Sequence, residues 1–365
     1  MKKNLLIGLA ALAAVTITSC QKDQVINQVP QEQAIEFGTY VGRDAQTKGN
    51  SVNLDVMQGS TAGFGVFAYY SDNADYDPNY PNTFISNYMD NQQVKYITSD
   101  WEYSPIKYWP NETSDKISFI AYYPWVENKA LEPGTTNIQH TVANNVKSQV
   151  DLLWNKTTLN NQTKQNTTEK ITFDFGHALS RIGFNVVACV DETTADGDGK
   201  YTPLDNNTKI TVNSVTLSNA FLVTGNLNLN KEVATWTNTS GTQGFTLNTT
   251  NTNWKNSNNI IQHAEDAQRQ LPQQLNGDDS YIMIIPNGST TFNLTINYDV
   301  ETTDPKLSTG KSTINNNITK SVTIDFAAGN AYTLNLVLGM TSVKIDASYD
   351  DWDESSTIVN LPENE

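Results

Sequence analysis

The sequence predicts an all-β protein built from two domains. In many short segments apolar residues recur at every second position, and turn-forming residues separate these segments. The chain has 365 residues, which exceeds the usual length of one domain. Tyr, Phe and Trp make up 10% of the residues, and aromatic side chains favour strands.

The first alternating segment follows residue 34. Ile35, Phe37 and Val41 fall on one face of the predicted strand, with polar or small residues between them. The same alternation predicts further strands over the ranges 292–298, 322–326, 332–338 and 343–349. The range 281–285 is apolar throughout, which is typical of a strand covered on both faces.

Two segments depart from simple alternation. Within 210–217 the alternation shifts at Asn213 and Ser214, which predicts a β-bulge. The range 260–271 has a weak helical pattern and is the one helix that the sequence suggests.

Turn signals and polar stretches divide the chain. Turns are expected at Asn287-Gly288, Gly329-Asn330, Asp196-Gly197-Asp198-Gly199 and Asp304-Pro305. The polar range 155–170 lacks periodicity and precedes a new strand at Ile171. We therefore expect an N-terminal β-sandwich domain over 34–169 and a C-terminal β-sandwich domain over 170–365.

Charge and cysteine content exclude several classes of function. The net charge of −16 argues against nucleic acid as a partner and against a polybasic membrane patch, and it suits solubility outside the cell. The two cysteines, Cys20 and Cys189, are too few for a disulfide scaffold. Cys189 lies in an apolar run, so we expect it to be a small buried hydrophobic residue.

The N-terminus has the features of a bacterial lipoprotein signal. Lys2 and Lys3 precede an apolar stretch over 5–16 that is short for a membrane-spanning helix. The stretch ends in Ile17-Thr18-Ser19-Cys20, which resembles a lipobox. We expect a signal peptide over 1–19 and a lipidated tether over 20–33, with acyl chains on Cys20 anchoring the protein to the outer membrane at the cell surface. An ordinary secretory signal is the alternative.

Several segments together resemble the fimbrillin family, the type V pilins and minor fimbrial proteins of Bacteroides-type anaerobes. The order and spacing of the segments carry this resemblance, from the signal peptide to Trp352. The segments are Ile35-Glu36-Phe37-Gly38-Thr39-Tyr40, Gly63-Phe64-Gly65-Val66-Phe67-Ala68-Tyr69-Tyr70, Ile117-Ser118-Phe119-Ile120-Ala121-Tyr122-Tyr123-Pro124, Val150-Asp151-Leu152-Leu153, Phe173-Asp174-Phe175-Gly176-His177-Ala178-Leu179-Ser180, Ala328-Gly329-Asn330-Ala331-Tyr332-Thr333-Leu334 and Asp350-Asp351-Trp352.

The resemblance implies two transthyretin-like β-sandwich domains in tandem and assembly by strand exchange. A protease cuts after the first strand, the strand leaves, and another pilin subunit inserts a strand into the emptied groove. An exposed, unpaired strand edge is a template for such pairing. The predicted displaced strand carries Ile35, Phe37 and Val41. The predicted cut site is Arg43 or Lys48, and Lys48 occupies the place, between Thr and a small residue, that the family typically gives to Arg.

The C-terminal tail is a possible donor strand. After Trp352 its sizeable apolar residues are Ile358, Val359 and Leu361, which could form a short plug. A frayed polar terminus is the alternative. If the tail cannot donate, the protein is more consistent with a tip or accessory subunit.

One loop suggests ligand binding. Tyr69, Tyr70, Tyr76 and Tyr80 lie among Asp and Asn residues, and such a surface could bind sugars or a protein. Alternatively, these tyrosines cover an edge of the sandwich. The corresponding second hypothesis for the whole protein is a monomeric surface lipoprotein that binds glycans or a host protein.

No pattern indicates an enzyme, a cofactor or a metal. The chain has three histidines, no G-x-S-x-G nucleophile elbow, and no H-E-x-x-H or C-x-x-C spacing for zinc. We interpret His177 as structural, the segment 196–199 as a turn rather than a calcium loop, and the acidic residues around Trp352 as a solvated turn.

Overall fold

The computed structural model describes residues 32–42, 52–80, 83–164, 169–190, 194–248, 260–262, 271–277 and 280–352. These residues form nineteen strands and two short helical segments. The prediction of an all-β protein is therefore confirmed.

Eight strands of the N-terminal half form one sheet. Their spatial order is β2 (Phe64–Ser71), β3 (Met89–Ile97), β4 (Asp100–Glu102), β1 (Phe37–Val41), β9 (Ile171–His177), β7 (Leu153–Asn155), β5 (Lys116–Tyr123) and β8 (Leu159–Gln162). A further pairing of β2 with β5 closes seven of these strands into a ring. Closure removes the free edges that an open sheet would expose.

Two sheets of the C-terminal half pack face to face as a sandwich. One has the order β14 (Gln273–Gln274), β10 (Ser180–Ala188), β18 (Asn330–Leu338) and β19 (Val343–Asp351), with β15 (Ile282–Ile284) also paired to β10. The other has the order β12 (Thr235–Asn248), β11 (Thr208–Asn228), β16 (Gly288–Thr303) and β17 (Lys311–Phe326). In that sheet β13 (Ile260–Gln262) and β6 (Asn137–Thr141) also pair with β11.

Helical structure is minor in the described part of the chain. Helix α1 (Leu54–Gly59) begins after Asn53, whose side-chain oxygen accepts a hydrogen bond from the Val56 amide at 2.8 Å and so caps the helix. A single 3-10 turn spans Val146–Ser148. Neither segment has the length and apolar composition that crossing a bilayer requires.

The two largest clusters of the hydrophobic core meet along β2 and β5. On β2, Phe64 and Val66 face the inside of the ring, whereas Phe67 packs into the core of the sandwich. On β5, Phe119 faces the ring and Ile120 faces the sandwich. Both strands are therefore buried on both faces, and they join the two halves into one body.

Most local predictions are confirmed. The register between β11 and β16 shifts between Val212 and Ser214, where the bulge was expected. Strand β15 is buried throughout, and Gly329 adopts the left-handed conformation of a turn with φ of 74°. Cys189 is buried against Val187, Tyr201 and Val337.

The helix suggested over 260–271 is wrong where the structure describes that range. Ile260–Gln262 is strand β13, which pairs antiparallel with β11 over Lys209, Ile210 and Thr211. The two isoleucines are β-branched and favour a strand, and pairing with β11 overrides the weak helical periodicity.

Sheet membership changes between His177 and Ser180. Strand β9 follows the predicted boundary at 169/170 but belongs to the first sheet, and β6 precedes that boundary but pairs with β11 of the sandwich. The division into domains at 169/170 stays a prediction.

His140 on β6 lies at the junction of the two halves. It is partly buried, its ring centroid lies 6.3 Å from that of Trp236, and Lys129 donates a hydrogen bond to the adjacent Gln139 carbonyl at 2.9 Å. Burial, reinforced by the positive charge of Lys129 and only partly opposed by Asp151, lowers the pKa of His140 to about 4.

We predict that His140 makes the fold less stable as pH falls from about 6.5 to 4. In that window the unfolded chain binds a proton at this histidine and the folded chain does not, so unfolding is favoured, by up to about 3 kcal/mol at the lower end. Urea denaturation at pH 7 and pH 4.5 should show a smaller loss of unfolding free energy for His140→Gln than for the parent protein. Equal losses in the two proteins would contradict this assignment.

Candidate functional site

The N-terminal strand β1 lies inside the first sheet rather than at an edge. It pairs parallel with β9 over five residues, from Phe37 opposite Ile171 to Val41 opposite Phe175. On its other side it pairs antiparallel with β4 at a single position, Phe37 opposite Trp101. The strand thus fills the seam between β4 and β9, and one side of the seam is paired much more extensively than the other.

The three apolar side chains predicted on this strand all enter the core of the ring. Ile35 and Phe37 are 1% and 0% exposed, and Val41 is 5% exposed. The Phe37 ring centroid lies 5.2 Å from that of Tyr103 and 5.5 Å from that of Phe173. The rings of Phe64 and Phe119 lie within 6.4 Å and 6.0 Å of it. Phe37 is therefore the centre of an aromatic cluster.

Backbone hydrogen bonds fix the residues that precede β1. The Ile35 amide donates to the Lys107 carbonyl at 2.9 Å, and the Trp109 amide donates to the Gln33 carbonyl at 2.9 Å. The Tyr103 hydroxyl donates to the Ile35 carbonyl at 2.8 Å, and burial raises the pKa of Tyr103 to about 12, so the hydroxyl stays protonated and able to donate.

The opposite face of β1 is open. Tyr40 is 47% exposed, and Gly38 lies so close to β9 that a Cβ atom there would stand 3.1 Å from the Thr172 hydroxyl oxygen. Removing β1 would open the ring and expose two strand edges together with a slot lined by aromatic rings. Such a slot suits another strand with apolar residues at alternate positions.

Several predicted functional residues lie outside the described part of the chain. They are Cys20, Arg43, Lys48, Ile358, Val359 and Leu361. Their roles stay predictions.

The described residues next to two of these segments, Val52 and Trp352, both contact one buried cluster. Val52, the first described residue after 43–51, donates its amide to the Asp151 carboxylate at 3.0 Å. The other contact of that carboxylate is with Nδ1 of His177 at 2.8 Å, and both side chains are at most 1% exposed. The His177 ring stacks on Trp352 with a centroid separation of 4.1 Å and an interplanar angle of 2°.

This cluster holds the chain directly before the C-terminal tail. The Arg181 guanidinium lies 5.0 Å from the Trp352 ring, a cation–π contact, and the Trp352 amide donates to the Gly329 carbonyl at 2.7 Å. His177 ends β9, the strand against which β1 lies. The interpretation of His177 as structural is consistent with this position. In the sequence, Asp151, His177 and Trp352 belong to three separate segments of the family resemblance. No sequence pattern predicted that their side chains contact one another.

The four tyrosines of the predicted ligand loop do not share one exposed surface. Tyr76 is 3% exposed and packs against Tyr69 and Phe84 with ring centroids 5.9 Å and 5.4 Å away. The Tyr70 hydroxyl donates to Asp115 at 2.9 Å. Tyr80 alone of the four is largely exposed, at 67%. The structure therefore does not bring the four tyrosines together on one exposed surface, since Tyr76 belongs to the core and Tyr69 packs against it. A ligand-binding role of this loop stays a prediction.

The acidic loop at Asp196 forms a hydrogen-bonded turn. One oxygen of the Asp196 carboxylate accepts from the amides of Asp198 at 3.0 Å and Lys200 at 2.8 Å. No group of three or more His, Cys, Asp or Glu side chains suited to a metal ion occurs among the described residues.

Known proteins share both sequence and fold with this chain. A family model described as fimbrillin-like matches residues 53–352. The fimbrium subunit Fim1C of Phocaeicola vulgatus is 25% identical over 382 residues, which cover 97% of this chain and 98% of that protein. A solved fimbrial protein from Bacteroides vulgatus ATCC 8482 aligns with a TM-score of 0.66 at 21% identity, over 88% of this chain and 99% of its own, and so shares its fold.

We predict that Phe37 stabilises the fold far more than its exposed neighbour. Phe37→Ala should lower the free energy of unfolding by about 3–5 kcal/mol, because it leaves a cavity among the surrounding aromatic rings. The matched control Tyr40→Ala, on the open face of the same strand, should cost less than about 1 kcal/mol. Urea denaturation measures both values, and similar costs for the two variants would argue against β1 as the centre of this core.

We also predict a large cost for breaking the buried pair. Asp151→Ala leaves His177 and the Val52 amide without this acceptor and should destabilise the protein by about 3–5 kcal/mol. Asp75→Ala removes one partner of the surface pair with Lys116, where Asp75 is mostly exposed, and should cost less than about 1 kcal/mol. Thermal unfolding followed by circular dichroism compares the two; equal shifts in Tm would refute the anchoring role of Asp151.

Proposed function

Because the chain belongs to the fimbrillin-like family, we propose that it is a structural or accessory subunit of a cell-surface adhesive pilus, assembled by protease-triggered strand exchange. The observation that supports exchange best is the position of β1. It is a short strand in the seam of a closed sheet, its apolar side chains fill the core, and its pairing to β4 involves one residue. The similarity to a fimbrium subunit along nearly the whole chain supports a location in a fimbrium.

Export as a lipoprotein is the first step of this proposal. The signal peptide is removed before Cys20, acyl chains on Cys20 anchor the protein to the outer membrane, and the polar tether over 20–33 separates the anchor from the fold. The net charge of −16 is consistent with a surface location and keeps the folded subunit soluble.

Cleavage at Arg43 or Lys48 would then separate β1 from the rest of the chain. Both candidate sites lie in the segment between Gly42, the last described residue after β1, and Val52. The Val52 amide is hydrogen-bonded to the buried Asp151 carboxylate. After cleavage β1 is held only by noncovalent contacts, while the body of the subunit stays fixed from Val52 onward. A strand of another pilin subunit can then take its place.

The donor strand is proposed to be the tail beyond Trp352. Ile358, Val359 and Leu361 offer apolar side chains to a slot that now takes Ile35, Phe37 and Val41. Trp352, the last described residue before this tail, is fixed by its stacking on His177, so the proposed donor segment begins at a defined position. A subunit whose tail does not donate would serve at the tip or as an accessory subunit.

We propose a non-catalytic role. Among the described histidines, His177 is committed to Asp151 and Trp352, and the lowered pKa of His140 follows from burial beside Lys129. These contacts account for both side chains structurally.

The proposal is tested on protein that starts at Gln21 and therefore lacks the anchor. Brief trypsin treatment followed by N-terminal sequencing should reveal a new start at Asp44 or Gly49, and a gel should show a heat-resistant ladder of multimers. The double variant Arg43→Gln/Lys48→Gln should remain uncut and monomeric. The control Lys306→Gln, an exposed lysine of the β16–β17 turn, should behave like the parent protein.

The outcomes separate the alternatives. A cut without a ladder, combined with capture of a synthetic peptide of residues 353–365 by the cleaved subunit, indicates that the groove accepts the tail segment and supports strand exchange. A cut with neither a ladder nor peptide capture indicates a tip or accessory subunit. If neither site is cut, or if the double variant also forms a ladder, processing-dependent assembly is refuted, and the monomeric surface lipoprotein becomes the better hypothesis.

A further inference from the structure

An open cleft lies where the first sheet meets the sandwich. Its volume is about 570 Å³, which is within the range of small-molecule sites, and such sites are common where two structural units meet. Trp154 of β7, Trp236 of β12 and Phe326 of β17 line it together with residues of three turns. We propose that this cleft binds a neutral sugar.

The aromatic lining of the cleft is fixed in place. The indole N–H of Trp154 donates to the Lys231 carbonyl at 2.9 Å, and that of Trp236 donates to the Ala178 carbonyl at 3.1 Å. Trp154 and Phe326 are 5% and 3% exposed and form the floor of the cleft, whereas Trp236 is only partly buried and offers part of its apolar ring to the cleft. Gly225 permits the position of Trp236, since a Cβ atom at residue 225 would stand only 3.0 Å from the indole ring.

The rim of the cleft supplies hydrogen-bonding groups. Glu232, Thr239 and Asn287 line it and are exposed. A carboxylate, a hydroxyl and an amide together accept and donate hydrogen bonds, which suits the hydroxyl groups of a sugar. The apolar C–H face of a pyranose ring would lie against the exposed part of the Trp236 indole while its hydroxyls face the rim. The combination of one partly exposed indole ring and a polar rim distinguishes the cleft from a purely apolar docking groove.

Charge favours a neutral sugar over an acidic one. Among the described residues that line the cleft, Glu232 is the one with a charged side chain, and none is lysine or arginine. The protein as a whole carries a net charge of −16. A ligand carboxylate would face repulsion without a cation to pair with. The tyrosine loop is a poorer sugar site, because Tyr80 alone of its four tyrosines is largely exposed.

Sugar binding at this cleft does not depend on strand exchange. The lining residues come from β7, β12, β16, β17 and the turns between strands of the sandwich, and none comes from β1. The uncleaved monomer can therefore be tested directly, and failure of sugar binding would leave the assembly proposal untouched.

Binding is measured by saturation-transfer NMR and calorimetry on uncleaved protein that starts at Gln21. The probes are lactose, mannotriose and chitotriose, with sialyllactose as the acidic comparator. We expect saturable binding of at least one neutral probe and weaker binding of sialyllactose than of lactose. The rim variant Glu232→Ala/Asn287→Ala should weaken binding about thirtyfold, which corresponds to about 2 kcal/mol for the two hydrogen bonds lost.

A second variant guards against loss of folding as the explanation. Thr239→Trp changes an exposed residue and should fill the mouth of the cleft without disturbing the core, so it should abolish binding while the near-UV circular dichroism stays native. The control Tyr80→Ala, in the tyrosine loop, should bind like the parent protein. The proposal is overturned if no neutral probe binds, if the natively folded cleft variants bind normally, or if Tyr80→Ala loses binding as strongly as they do.

Discussion

The closed first sheet depends on one short strand. β1 lies between β4 and β9, and the ring is complete only while β1 occupies that seam. Its burial is stabilising because Phe37 contacts aromatic rings from several other strands, so one side chain links parts of the ring that are distant in sequence. β4, β9 and the surrounding aromatic rings are therefore complementary in shape to this strand. Any strand that replaces β1 must satisfy the same alternation and the same ladder of backbone groups.

The sequence could predict the elements that depend on local pattern. Alternation identified Ile35, Phe37 and Val41 as one buried face, and a break in alternation located the bulge near Ser214. It could not predict that β1 runs parallel to β9, because the pairing joins residues more than a hundred positions apart and no local signal encodes it. The buried faces were therefore predictable while the partners were not.

Failures of prediction have the same physical origin. The tyrosines at 69–80 lie among Asp and Asn residues, so the sequence of this segment predicts a polar surface. In the structure Tyr76 is buried and packs against Tyr69 and Phe84. Ile260–Gln262 forms a strand because its backbone pairs with Lys209–Thr211 of β11. Asp151, His177 and Trp352 come from three separate segments, and only the folded chain brings them together. In each case tertiary contacts outweigh a weak local preference.

The strands shared between the two cores have a mechanical consequence. Domains within one chain usually move relative to each other unless a large apolar interface joins them. Here alternate residues of β2 and β5 belong to the ring on one side and to the sandwich on the other, so no linker between the halves can act as a hinge at these strands. Bending one half against the other would have to shear side chains within a continuous core. In an assembly of such subunits, bending would therefore be concentrated at the contacts between molecules, because the shared strands make each molecule one rigid body.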